Sequence, residues 1–128
     1  MNISTSITAV ATGGAIGSVC RFLIALGAEK LSPQFPLGTY VANIVGCLSI
    51  GMLWSFFEKV HISHEFRLFL FTGFLGGFTT FSTFARESYS FLRNGEYFNA
   101  ISYVILSNLI GIAMVAFGFY LCQKFIIK

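Results

Sequence analysis

Four stretches of this chain, residues 1–20, 31–57, 68–85 and 97–123, contain no Asp, Glu, Lys or Arg. A helix needs about 20 predominantly apolar residues to cross a ~30 Å hydrocarbon layer, and each stretch, with its flanks, supplies them. Only 10% of the 128 residues are charged, against about 25% in an ordinary soluble domain. Four such spans use nearly the whole chain. The sequence therefore predicts an all-α integral membrane protein with one four-helix transmembrane domain over 1–128, its spans at about 3–28, 36–57, 65–92 and 97–124.

The links between spans are short and carry recognisable signals. Pro33 and Pro36 mark a loop and a helix start. Ser63 is placed to cap the third span, and Asn94-Gly95 reads as a turn before the fourth. No Lys or Arg precedes Arg21, so the first segment reads as a span and not as a secretory signal. The resulting antiparallel bundle puts Lys59, Arg67, Lys124 and Lys128 on the side of the termini. Lys30 and Arg93 lie on the other, with Arg21 and Arg86 close to the span ends. Orientation follows from a clear excess of Lys and Arg in the cytoplasmic loops. Here the bias is weak, which is compatible with insertion in both directions and antiparallel pairing.

Composition excludes several functions. The formal charge of +3 is scattered over short loops, whereas nucleic-acid binding needs a clustered basic face. Cys20, Cys47 and Cys122 all sit in apolar runs and read as small buried residues. The pair His61 and His64 has no third metal ligand nearby in sequence. Glu and His occur only near span ends or in loops, which leaves an enzyme poorly supported.

The third span is unlike the others. Gly76-Gly77, Thr79-Thr80 and the block Phe81-Ser82-Thr83-Phe84 interrupt its apolar run. Helix breaks at membrane depth persist only where the freed backbone is buried in protein or lines a wet cavity, and they commonly surround an ion or substrate. The sequence thus predicts a broken third helix and transport. Four short helices leave little room for a polar path, so the path is expected at or near the interface of an oligomer.

Several polar residues could line it. In span one, Gly13, Gly17 and Arg21 share a face at spacing four. The glycines form a packing face; Arg21 either draws anions into a vestibule or snorkels to the interface. In span two, Thr39, Asn43, Gly46 and Cys47 form a small polar stripe. Asn43 offers uncharged donors to a ligand or a hydrogen bond between helices. Phe81 and Phe84 sit at i, i+3, and the positive edge of an aromatic ring can face an anion. Glu87, near the end of the span, is expected to pair with Arg86 or Arg93. Tyr103, Ser107 and Gly111 repeat at spacing four in span four. The apolar centres of the spans hold donors and no carboxylate, which suits an anion or a cation held by backbone carbonyls.

These residues together resemble the Fluc-type (CrcB-like) fluoride channels over nearly the whole chain. The likeness rests on Gly13-Gly14-x-x-Gly17-x-x-x-Arg21, on Pro36-x-Gly38-Thr39-x-x-x-Asn43-x-x-Gly46, and on Gly73-x-x-Gly76-Gly77-x-Thr79-Thr80-Phe81-Ser82-Thr83-Phe84. The last block is highly specific. The resemblance implies an antiparallel, dual-topology homodimer in a bacterial inner or plasma membrane, with two pores that pass fluoride out of the cytoplasm and confer fluoride resistance. It implies that Phe81 and Phe84 line the path, that Asn43 stands at its polar entry, and that Ser82, Thr83, Tyr103 and Ser107 contribute hydroxyls. It also implies a structural sodium ion at the dimer centre, held by the carbonyls of Gly76 and Thr79 from both subunits. Phe78 departs from the aliphatic residue expected beside the break. The main alternative is a small dual-topology, proton-coupled multidrug transporter, but that class depends on a carboxylate in span one, and this chain has none there. A scaffold subunit whose polar residues only pack helices is a further possibility.

Overall fold

The computed structural model describes residues 1–126, and every regular element among them is helical. Lys128, counted in the charge balance above, lies outside the described residues. Helix α1 covers Ile3–Leu31 and α2 covers Leu37–Phe57. The third span starts with α3, His64–Arg67, widens into a π-helical stretch over Leu68–Leu75, and closes with one turn, α4, over Gly76–Phe78. Helix α5 then covers Phe81–Arg93, and α6 runs over Tyr97–Leu121 into a π-helical turn at Cys122–Ile126. Four segments are long and apolar enough to cross a bilayer: Ile3–Leu31, Leu37–Lys59, His64–Arg93 and Tyr97–Ile126. The chain is a multi-pass membrane protein.

Local chemistry sets the helix ends. Asn2 accepts the Ser4 N–H at 3.0 Å to cap α1, and Ser63 accepts the Phe66 N–H at 3.1 Å to cap α3. Each satisfies one of the amides that a helix leaves unpaired at its start. After α5 the chain reverses through Gly95, whose φ of +76° is open to glycine and costly for residues with a Cβ.

Two seams hold the bundle together. Helix α1 lies against the first half of the third span, and α2 lies against α6, while α5 reaches α6. Lipid tails are as apolar as leucine, so helices in a membrane gain by close packing, which small residues permit. A Cβ on Gly77 would stand 2.6 Å from the Gly14 carbonyl oxygen, and one on Gly17 would stand 2.9 Å from the Phe78 nitrogen. Gly13 packs on Gly73 in the same way. The backbones of α1 and the third span therefore touch along this seam. Phe78, 5% exposed, stacks on Phe74 with ring centroids 5.8 Å apart and also reaches Gly46. The Thr79 methyl lies closer still to Gly46 and would overlap a Cβ there, so α2 meets the third span at the point where it changes.

Candidate functional site

That change occupies two residues. Helix α4 ends at Phe78; Thr79 (φ −90°, ψ 157°) and Thr80 (φ −148°, ψ 123°) are extended, and α5 starts at Phe81. The glycine pair is helical; Gly77 makes the close approach to α1, whereas a Cβ on Gly76 would meet only the Phe71 carbonyl oxygen of its own span, 3.8 Å away. The extended residues are the two threonines that follow.

Two helix ends meeting inside a span create a backbone accounting problem, because each leaves groups without intrahelical partners. The structure solves most of it with side chains. In an unbroken helix the Thr80 N–H would reach the Gly76 carbonyl. It donates instead to Asn43 Oδ1 at 2.8 Å, while Asn43 Nδ2 donates to the Thr80 carbonyl at 3.0 Å. One carboxamide thus replaces a neighbouring strand and clamps both polar groups of Thr80. The Thr80 hydroxyl accepts the Thr83 N–H at 3.2 Å and donates to Thr83 Oγ1 at 3.1 Å, capping α5. Thr79 closes the first half, its N–H and hydroxyl both donating to the Leu75 carbonyl at 3.0 and 2.9 Å. Arg21 Nε donates to the Gly77 carbonyl at 3.1 Å, a cation at a helix C-terminus, where the dipole favours it. Among the described residues, none donates to the Gly76 or Thr79 carbonyl.

An open cleft of about 390 Å³ lies against these residues. Its lining brings Asn43, Gly46, Gly76 and Thr79 together with Phe81, Phe84 and Ser107. Cys47 and Asn108 also reach it, and none of its lining residues is a carboxylate. The Phe81 and Phe84 rings stand 5.8 Å apart and tilted by 48°. Phe84 is buried, whereas Phe81 is 77% exposed. The Ser107 hydroxyl is buried without a partner, a costly arrangement unless something polar visits it. Ser82 is exposed at the start of α5.

Behind the Phe84 ring lies a second polar group of residues. Glu87 accepts the Thr39 hydroxyl at 2.6 Å and the Tyr103 hydroxyl at 2.8 Å, one on each carboxylate oxygen. Tyr103 is 1% exposed, its ring 5.1 Å from that of Phe84 and 5.6 Å from that of Phe35. Its hydroxyl faces Glu87, and it is absent from the cleft lining. The expected pairing of Glu87 with Arg86 or Arg93 is replaced by two hydroxyls from α2 and α6. These partners come from distant parts of the chain, so no local spacing reports them. His64 Nε2 lies 3.2 Å from the Met1 sulfur, and among the described residues no three His, Cys, Asp or Glu side chains gather as a metal site.

Comparison with known proteins adds to this geometry. The family model described as "CrcB-like protein, Camphor Resistance (CrcB)" matches residues 8–119. A Desulfotalea psychrophila protein named fluoride-specific ion channel FluC is 60% identical over 122 residues, covering 95% of each chain. Proteins of the same name from Bacteroides fragilis and Helicobacter pylori are 48% and 40% identical. These alignments cover 88% and 91% of this chain, and 92% of each relative.

The Asn43 clamp yields a direct expectation. Asn43→Ala strands the Thr80 N–H and carbonyl, at a cost of about 1–3 kcal/mol for each unpaired group. The thermal midpoint of the purified protein in detergent should drop clearly below that of the wild type. An unchanged midpoint would mean that the clamp contributes nothing.

Proposed function

The chain belongs to the CrcB-like family, and from that premise we propose that it is a fluoride-specific ion channel, not an enzyme. It lets fluoride leave the cytoplasm passively and so limits fluoride toxicity. One observation carries the reading beyond the relatives' names. A mainly apolar cleft at an interruption of the third span brings the amides of Asn43 and Asn108, the hydroxyl residues Thr79, Thr80 and Ser107, and the rings of Phe81 and Phe84 together, with no carboxylate in its lining. Fluoride is small and strongly hydrated, so it enters a narrow path only where such donors replace its water. Neutral donors also let it leave, since conduction requires binding weak enough to release. A proton-coupled multidrug transporter is not favoured, because span one has no carboxylate and the relatives are named fluoride channels.

In this reading the third helix is a discontinuous membrane helix with two tasks. Its side chains serve the anion: Phe81 and Phe84 present ring edges, Asn43 uses its remaining N–H at the polar entry, and Ser82, Thr83 and Ser107 add hydroxyls. Tyr103 acts from behind Phe84, setting the ring against which the anion passes. Arg21, while capping Gly77, adds positive potential to the vestibule. Its backbone serves a cation. The Gly76 and Thr79 carbonyls have lost their helical donors, and such hard oxygens fit sodium. The ion would be held by these carbonyls from two subunits, where it offsets their partial charges and fixes the pairing. The 77% exposure of Phe81 beside the open cleft supports a second copy of the chain as the missing wall. With the weak charge bias, we propose an antiparallel homodimer of dual topology.

Purified protein in liposomes provides the test, with fluoride and chloride efflux recorded separately. Fluoride should pass and chloride should not; equal fluxes, or none, would contradict the reading. Phe81→Ala and Phe84→Ile should each lower fluoride efflux about tenfold or more, the equivalent of ~1.4 kcal/mol in the barrier, while the dimer stays assembled. The sodium proposal has a separate readout. Replacing sodium by N-methylglucamine should lower the thermal midpoint of the dimer, and an insensitive midpoint would remove the ion.

A further inference from the structure

Helix α5 has two opposite faces. Phe84, Ser88 and Phe91 are buried against the bundle, whereas Ser82, Arg86, Tyr89 and Arg93 are exposed. At 3.6 residues per turn, these four fall within a narrow arc on the side away from the core, flanked by the exposed Ala85 and Ser90. The stripe begins beside Phe81, at the rim of the cleft, and runs to the end of the span.

Its charge is one-sided. Glu87, the only carboxylate on α5, has both oxygens occupied by the Thr39 and Tyr103 hydroxyls on the inner side. Glu96, just past the helix, accepts from Asn99 at 2.8 Å. Arg86 is also deep. It lies six residues beyond Thr80, about 9 Å of helix rise from the interruption, and seven residues short of Arg93. The interruption sits near the middle of the 30-residue span His64–Arg93. A ~30 Å hydrocarbon layer extends about 15 Å from its centre, so the Arg86 backbone falls inside it. An ionisable side chain at such depth almost always faces protein or a water-filled cavity.

We infer that this face of α5 lines a water-filled vestibule, and that Arg86 forms a site there which collects small monovalent anions and delivers them to the cleft by way of Ser82. The inference rests on the channel reading above. Ser82 and Tyr89 share the Arg86 face at i−4 and i+3, so an arriving anion meets hydroxyl donors along it. A fixed cation between low-dielectric walls raises the local anion concentration, by about tenfold or more in favourable clefts, and salt removes the gain. Arg86 differs from Arg21 in this respect, since Arg21 has committed a nitrogen to the Gly77 carbonyl.

The test uses Arg86→Cys in the full chain, reconstituted in liposomes beside the wild type. A membrane-impermeant cationic thiosulfonate should react with the new thiol, over the background set by Cys20, Cys47 and Cys122. At low ionic strength and low fluoride, efflux through Arg86→Cys should be several-fold below wild type. The cationic adduct should restore it, an anionic adduct should depress it further, and the differences should shrink at high salt. A thiol unreactive from water would place the side chain among lipid headgroups and overturn the inference. So would an efflux that ignores both loss and restoration of the charge. A wild type that passes no fluoride would instead sink the channel reading, while thiol reactivity still reports whether the face is wet.

Discussion

An interruption inside a membrane span leaves polar backbone groups where there is no water to satisfy them, each at a cost of several kcal/mol in hydrocarbon. The pairing of the Asn43 carboxamide with both polar groups of Thr80 is the interaction on which this structure depends. It fixes α2 against the point where the third span stops and restarts. With Thr80 held, its hydroxyl is free to cap α5, and α5 can leave in the direction that brings Phe84 onto Tyr103 and Glu87 between Thr39 and Tyr103. Arg21 secures the other side by taking the Gly77 carbonyl.

The same geometry divides structure from transport. Groups turned towards α1 and α2 are committed: glycine seams bring the backbones together, and the Thr79 methyl fills the space under Gly46. Groups on the open side are left uncommitted. They include the Gly76 and Thr79 carbonyls, the Ser107 hydroxyl and the exposed Phe81 ring. In a finished core these would be defects. In the proposed reading they are ion sites, so that the functional and oligomeric proposals meet at one cleft. No charged residue lines the cleft in the proposed channel, and the arginines act from outside it.

Much of this was legible in the sequence, because membrane spans are written in contiguous residues. The charge-free stretches locate four helices, Ser63 announces the start of the third, and Asn94-Gly95 announces the turn. The unusual character of residues 76–84 is equally visible. Its internal layout is not. Glycine signals either a break or a close approach, and here Gly77 serves the approach, Gly76 stays helical beside it, and Thr79 and Thr80 carry the extended backbone. Which role wins depends on α1, some sixty residues earlier in the chain. Asn43 left two readings open for the same reason: its partner is an exposed backbone group that exists only once the helix has stopped. Glu87 looked destined for a neighbouring arginine, yet two hydroxyls from other helices hold it at shorter range. The π-helical stretch at Leu68–Leu75 has no sequence signature that we can identify.

If the clamp is the keystone, the Thr80 amide should behave as part of a closed hydrogen-bond system although it belongs to no helix. Residue-resolved hydrogen exchange on the purified protein reads this directly. The account predicts that the Thr80 N–H exchanges as slowly as the helical amides of α5. Exchange as fast as that of the turn at Gly95 would contradict it.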